Sequence, residues 1–342
     1  MSRFDSIGLF WEDQPSSRKR GERVLGPLPA IPETGWCTPT ELPDLRRAPV
    51  MSFDVETWDP ELIDAGPGWA RGKGHLVGFS VATPDTKIFV PIRHTVQAEM
   101  NYDPDTAIRW MKAMMETPCD KVGANLMYDI GWLRQEGINV KGRLHDVQFA
   151  EALIDESSKV NLEALGRKYC GIGKDVDLLK EWCTGYYGSG VINWRKDIYR
   201  APVSLVGAYG EMDAALPLLV IREQMPLLAN EGLLDLFTME NELIRLLIDM
   251  RFAGVSIDIP YAEQLRDTFI SEAKEVQARI DHMAGFSVNV DAGDSLAKAF
   301  RHLGIDFPRT DKGAPSFVKE FLENHDHPFA NAITELRGIE KL

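Results

Sequence analysis

The stretch PVMSFDVETWDP, residues 49–60, is the strongest indication of how the first half of the chain folds. It is an apolar run that ends in two acids, Asp54 and Glu56, placed two positions apart. Because residues i and i+2 of a strand point to the same face, both carboxylates project from one face of a run otherwise fit for burial. Two like charges held there repel unless a cation lies between them. The pair is therefore either a solvated strand end or part of a metal site, and its spacing alone leaves both open.

Short β-rich runs surround this stretch and predict a sheet. HLVGFSVAT (75–83) and TKIFVPI (86–92) follow it directly, and shorter strand patterns occur in DKVGAN and RLHDV. Helical periodicity in DPDTAIRWMKAMMET and MYDIGWLRQEG alternates with these later strands. The sequence therefore predicts an α/β fold with a mixed five-stranded sheet flanked by helices.

The rest of the chain divides by composition and periodicity. Residues 1–48 contain six prolines and predict an extended N-terminal arm. After about residue 157 strand patterns fade, and the apolar spacing favours helices. These are predicted at 161–170, 202–225, 231–253, 258–284, 292–303, 314–323 and 328–342. We accordingly predict an arm at 1–48, an α/β domain at 49–228 and a mostly helical region at 229–342.

Composition limits the class of protein. The chain has 342 residues, 44% of them hydrophobic, which is enough to bury a sizeable core. Its net charge of −14, from 52 acids and 38 bases, argues against a general basic coat for nucleic acid. Four cysteines without a CxxC pair favour reduced thiols. No secretory or membrane-spanning stretch is evident, so we expect a cytoplasmic protein without a membrane partner.

Two further polar pairs stand out beside the first acids. Asn125 and Asp129 lie four apart at a predicted strand-to-helix junction, where they could line an opening or act as a helix cap and a first-turn acid. Tyr209 and Asp213 are i and i+4 on one face of an apolar helix. A core tyrosine is the alternative there, so each pair is ambiguous by itself.

Taken in order along the chain, these residues resemble the DEDDy 3'-5' exonucleases of the RNase H-like superfamily. The four acids of that family would be Asp54, Glu56, Asp129 and Asp213. The histidine subclass has its histidine where this chain has Ala208, whereas Tyr209 matches the tyrosine subclass. The resemblance thus implies an RNase H-like sheet and a tyrosine-type active site.

The resemblance also implies roles for these residues and two divalent ions, Mg²⁺ or Mn²⁺, held by the four acids. Asp54 would bridge both ions, Glu56 and Asp213 would complete the site of the water-activating ion, and Asp129 would act mainly through water. Tyr209 would orient the attacking water. Thr57 resembles the residue that contacts the terminal nucleotide, and Asn125 is expected to do similar work.

The helical region resembles the segment that joins exonuclease to thumb in family A DNA polymerases. The stretches AGVSIDIPYAEQL, SVNVDAGDSLAKAFRHLGIDFPRTDKGAPS and HPFANAITELRGIEKL carry this resemblance. It implies phosphate contacts by Arg337 and Lys341, which would otherwise be two solvated helix charges. With no palm or fingers motif in the chain, and no preceding 5'-nuclease, the organisation is similar to that of a bacteriophage replicative polymerase, cut or split between genes.

The function expected from the sequence is proofreading. It would be metal-dependent hydrolysis that releases nucleoside monophosphates from a single-stranded DNA 3' end or a primer-template, with a polymerase module on the same or a separate chain. If the protein is viral, it would act in the host cytoplasm. Two alternatives remain: an RNase D-like exoribonuclease, and a non-catalytic RNase H-like scaffold that binds DNA or protein.

Overall fold

The computed structural model describes residues 27–173, 177–187 and 194–341. The chain forms two compact units, which divide between Gly254 and Val255. The predicted division at 228/229 differs from this, because the helix after it packs on the sheet domain. Its Ile244 and Ile248 are buried in the main core of the first unit.

The first unit is built on a mixed five-stranded sheet, as predicted. Its strands are β1 (Val50–Trp58), β2 (His75–Ala82), β3 (Lys87–Pro91), β4 (Asp120–Gly123) and β5 (Leu144–Asp146). The spatial order is β3-β2-β1-β4-β5, which places β1 at the centre. β1 pairs antiparallel with β2 and parallel with β4, while β3 and β5 form the edges.

Eight α-helices flank the sheet in the described part of this unit. They are α1 (Leu62–Ala65), α2 (Pro104–Met115), α3 (Leu126–Gln135), α4 (Val147–Ile154), α5 (Leu162–Cys170), α6 (Asp177–Tyr187), α7 (Val203–Asn230) and α8 (Leu234–Ala253). Sequence periodicity missed α1 and α6, and the 3-10 helices at Trp69–Arg71, Ala98–Met100 and Trp194–Arg200.

The two faces of β1 pack against different helices. Met51, Phe53 and Val55 point into the core shared with α2, α3 and α8. The alternate residues face α7, which lies across β1, β2 and β3. Strand alternation therefore turns Asp54 and Glu56 toward α7 rather than into the main core.

Helix α7 is long and apolar because it is a core helix. Among the described residues it alone has the length and composition of a membrane-crossing helix, but 61% of its apolar window is buried within the fold. It continues through Pro217 and Pro226 to Asn230, beyond the end predicted from the sequence. Packing on the sheet accounts for its apolar character.

The described part of the N-terminal arm, residues 27–48, is extended and lies on the first unit. Trp36 Nε1 donates to Glu211 Oε1 of α7 at 2.9 Å, and Trp110 Nε1 of α2 donates to the carbonyl of Pro43 at 2.8 Å. The Tyr102 hydroxyl donates to the carbonyl of Pro39. The rest of the predicted arm, residues 1–26, lies outside the described residues.

The second unit is helical, as the sequence predicted. It contains α9 (Ile259–Ala284), α10 (Gly293–His302), α11 (Lys319–Glu323) and α12 (Pro328–Ile339) around a separate core. Phe300 and Phe329 are fully buried at its centre, with ring centroids 5.4 Å apart. The predicted helix 314–323 is wrong in its first half, because Pro315 forms a bridge with Arg309 and the helix begins only at Lys319.

A glycine lets α7 approach the sheet beside the acids. A Cβ on Gly210 would lie 2.7 Å from Ser80 Oγ and 2.8 Å from Phe89 Cδ2, both in buried side chains of the sheet. Gly210 stands between Tyr209 and Asp213 on the same helix. Close approach at this position therefore holds the segment that carries both side chains against β2 and β3.

We predict that Gly210→Ala lowers the free energy of unfolding by about 1–3 kcal/mol, because the added methyl group overpacks the helix against the sheet. Urea unfolding measures this change. Gly185→Ala in α6 is the matched control, since no atom lies within 4 Å of its added Cβ. The control should be neutral or gain up to about 1 kcal/mol in helix propensity. Equal destabilisation of both variants would contradict the close approach.

Candidate active site

Three carboxylates from two elements converge beside the central strand. Asp54 and Glu56 of β1 and Asp213 of α7 each offer an oxygen, and these oxygens lie within 4.8 Å of one another. Glu56 and Asp213 are buried, and Asp54 is partly exposed. The cluster thus combines the first and last acids that the sequence singled out.

Asp129 brings a fourth carboxylate to this region from the first turn of α3. Its side chain is buried, and its Oδ2 has no hydrogen-bond partner among the described residues. Burial raises the pKa of Asp129 well above its usual range, and the charges of Asp54, Asp146, Glu56 and Asp213 raise it further. A bound cation would supply the positive charge that this group lacks.

The α3 end of the site is held by a carboxylate that sequence reasoning missed. Asp146, fully buried at the end of β5, accepts from the backbone N–H of Leu126 at 2.7 Å and of Gln148 at 2.8 Å. It therefore caps α3 and α4 with its two oxygens. Its own N–H donates to Asn241 Oδ1 at 2.7 Å, which ties the junction to α8. An aspartate between a strand pattern and a helix pattern indicates an N-cap of the helix that follows, here α4. Its bond to α3 joins residues that are distant in sequence, so no local pattern indicates it.

We predict that Asp146→Asn lowers the free energy of unfolding by about 1–3 kcal/mol, because one helix start then faces an amide N–H₂ instead of an acceptor. The matched control is Asp103→Asn, which caps α2 through one oxygen only. An asparagine can keep that single acceptor, so the control should change by less than about 0.5 kcal/mol. Urea unfolding distinguishes them, and an unchanged Asp146→Asn protein would refute the double cap.

Asn125 does not act as the side-chain cap that was one alternative for it. It occupies the N-cap position of α3 with left-handed backbone (φ 68°), but its side chain makes no capping hydrogen bond. Its side chain is exposed at the junction. Asp146 makes the capping bond in its place, so the Asn125 amide stays available as a predicted substrate contact.

Thr57 belongs to a hydrogen-bonded chain that links β1 to α3. Its Oγ1 lies 2.7 Å from the Tyr128 hydroxyl, which donates to Asp59 Oδ2 at 3.2 Å. The N–H of Gly68 donates to the same Asp59 oxygen at 3.2 Å. Because Thr57 follows Glu56 and Tyr128 precedes Asp129, this chain fixes two acid-bearing elements relative to each other.

Tyr209 lies one helical turn before Asp213 on the sheet side of α7. Its side chain is only 8% exposed and packs in a cluster with Leu205, Val206 and Tyr187. The partly buried Trp58 and Tyr199 pack against this cluster. The i and i+4 spacing therefore brings the phenol and the last carboxylate to the same face, as the sequence predicted.

Arg337 and Lys341 belong to the second unit. The Arg337 guanidinium donates to the carbonyls of Phe317 at 2.8 Å and Val290 at 2.6 Å, which gives it a structural contact that the sequence did not reveal. Lys341 is exposed and follows the end of α12 rather than lying within it. Their predicted phosphate contacts stay predictions.

The chemistry of the donor set fits hard divalent cations. Carboxylate oxygens are the ligands that Mg²⁺ and Mn²⁺ prefer, and no cysteine joins the described cluster. The acids are held by a strand and two helices, so they cannot separate freely to relieve their repulsion. A cation is the direct way to offset that repulsion.

A family comparison agrees with this arrangement. A model of the 3'-5' exonuclease found in DNA polymerases of family A matches residues 42–225, which include both β1 acids, Asp129, Tyr209 and Asp213. The chain belongs to this 3'-5' exonuclease family. The RNase H-like expectation is thereby confirmed.

Individual relatives are phage and bacterial polymerases. A DNA-directed DNA polymerase of Pseudomonas phage M6 is 29% identical over 92% of this chain and 48% of its own length. DNA polymerase I of Chloroflexus aurantiacus is 27% identical over 87% of this chain and 31% of its own. The chain thus spans about half the length of the phage relative and a third of the bacterial one.

A solved structure shares the fold. The POL domain of Pol1 from M. smegmatis, in complex with DNA primer-template and dNTP, matches 86% of this chain and 45% of its own chain with a TM-score of 0.59. Its sequence identity is 14%, so the match supports the fold alone.

Proposed function

We propose that this chain is a proofreading 3'-5' exodeoxyribonuclease that hydrolyses the 3'-terminal phosphodiester and releases nucleoside monophosphates. The convergence of Asp54, Glu56 and Asp213 carries the proposal, because three carboxylates with oxygens within 4.8 Å of one another form a ligand set for a divalent cation. Family membership supports the direction and the type of reaction.

Asp54, Glu56, Asp129 and Asp213 would hold two divalent ions, Mg²⁺ or Mn²⁺. When bound, such ions activate water and neutralise charge that develops on the attacking and leaving oxygens. Burial of Glu56, Asp129 and Asp213 limits competing solvent and strengthens these electrostatic interactions. The acids thus serve as ligands rather than as proton donors.

Tyr209 would act through its hydroxyl, which can accept from a water and donate to an adjacent oxygen. Its burial fixes the ring, and its place one turn before Asp213 fixes the hydroxyl relative to the acids. It would therefore orient the attacking water. Thr57 and Asn125, at the ends of the two acid-bearing segments, would contact the terminal nucleotide.

The substrate would be a single-stranded or frayed DNA 3' end, supplied by a polymerase module on the same or a separate chain. The relatives are DNA polymerases, which favours DNA over RNA. The rates of nucleotide release from a DNA and an RNA oligonucleotide of the same sequence, measured with Mg²⁺, test this choice directly. Preference for the RNA would support an exoribonuclease instead. A cytoplasmic location stays a prediction.

We predict that Asp54→Ala lowers release of the terminal nucleotide from 3'-labelled single-stranded DNA by about 1,000-fold or more, because the central ligand of the cation site is lost. Asp105→Ala, an exposed acid in the first turn of α2, is the matched control and should keep full activity. A fully active Asp54→Ala protein would refute the site. DNA binding without cleavage by either protein would support the scaffold alternative.

We predict that Tyr209→Phe slows release by about 10- to 150-fold, because one hydrogen bond to a charged transition state is lost. The single-turnover rate at saturating DNA measures the effect. Tyr102→Phe removes a hydroxyl that binds only the arm, so its rate should stay within about twofold of the original. An unchanged Tyr209→Phe rate would remove the tyrosine from the mechanism.

A further inference from the structure

An aromatic side chain continues the row of acids on β1. Asp54, Glu56 and Trp58 are alternate residues of one strand and by its period belong to the same face, although the pairing of β1 with β2 shifts register between Glu56 and Thr57. Two strand residues advance by about 6.6–6.8 Å, so Trp58 begins within one such step of Glu56. Trp58 also packs against the cluster that contains Tyr209, which confirms that it faces the side of α7.

Trp58 is held by aromatic and basic neighbours. Its ring centroid lies 5.1 Å from that of His75, its partner on β2, and 6.0 Å from that of Tyr199. The Arg200 guanidinium carbon lies 4.9 Å from the Tyr199 ring centroid. Trp58 and Tyr199 are nevertheless only partly buried.

The negative charge of this protein limits how it can attract a DNA strand. The net charge is −14 and the site itself is acidic, so no general basic coat supplies the attraction for the phosphates of a strand. Stacking of a base on an aromatic ring needs no net charge and tolerates every base. A nearby arginine adds a cation–π contribution and one local positive charge.

We propose that Trp58 and Tyr199, flanked by His75 and Arg200, form a stacking subsite for a nucleobase of the single-stranded 3' end. The base belongs to one of the two nucleotides that flank the scissile phosphate, given the single strand step between Glu56 and Trp58. This inference rests on the proposed nuclease function and names the side chains that hold its substrate.

The test measures DNA binding separately from cleavage. A fluorescent single-stranded oligothymidylate is titrated by anisotropy with Ca²⁺ in place of Mg²⁺, so that the strand stays intact. Trp58→Ala should weaken binding about 5- to 150-fold, the loss expected for one stacked base. Trp58→Phe should retain most of the affinity. Trp110→Phe, a partly buried tryptophan of α2 that contacts the arm, is the control and should bind as the original does.

Abasic oligonucleotides separate stacking from a general structural effect. An abasic sugar at the first or second position from the 3' end should, at one of these positions, reduce the effect of Trp58→Ala to within about twofold. An abasic sugar at the sixth position should leave the effect intact. The slope of log Kd against log salt should not change with Trp58→Ala, because no phosphate contact is removed.

The outcomes distinguish the subsite from the nuclease function. Equal weakening on every oligonucleotide, or no weakening at all, would overturn the stacking subsite even if Mg²⁺-dependent release proceeds. The expected abasic pattern without any release under Mg²⁺ would support the subsite and refute the nuclease. Absence of DNA binding by the original chain would overturn both.

Discussion

Repulsion among carboxylates is the constraint around which the first unit is organised. Three acids present oxygens within 4.8 Å of one another, and a fourth is buried close enough for their charges to raise its pKa. Such an arrangement costs free energy in the absence of a cation, so the framework must hold it against relaxation. The packing of the fold offsets this cost.

Three structural features hold the acids in position. The period of β1 aligns Asp54 and Glu56. The close approach at Gly210 holds the segment with Tyr209 and Asp213 against β2 and β3, and Asp146 holds the start of α3, which carries Asp129. The chain of hydrogen bonds through Thr57, Tyr128 and Asp59 then ties β1 to α3. Each feature acts on a different strand or helix, so a substitution far from the acids can still alter the distances between them.

Local periodicity is what made much of this predictable. The alternation around Asp54 and Glu56, the helical spacing of Tyr209 and Asp213, and the five strands all follow from patterns within one segment. Asp146 as a double cap and Arg337 as a donor to Phe317 and Val290 join residues that are distant in sequence, so no single segment reveals them. The predicted boundary at 228/229 differs from the observed division after Gly254 for the same reason. The packing of α8 on the sheet domain joins residues that are distant in sequence.

Diffraction from crystals soaked in Mn²⁺ shows whether the acid cluster is a cation site. We expect anomalous scattering peaks bounded by Asp54, Glu56, Asp129 and Asp213, with two peaks about 3.5–4 Å apart when a DNA 3' end is bound. Crystals that diffract well and show Mn²⁺ elsewhere on the protein, but none at this cluster, would contradict it.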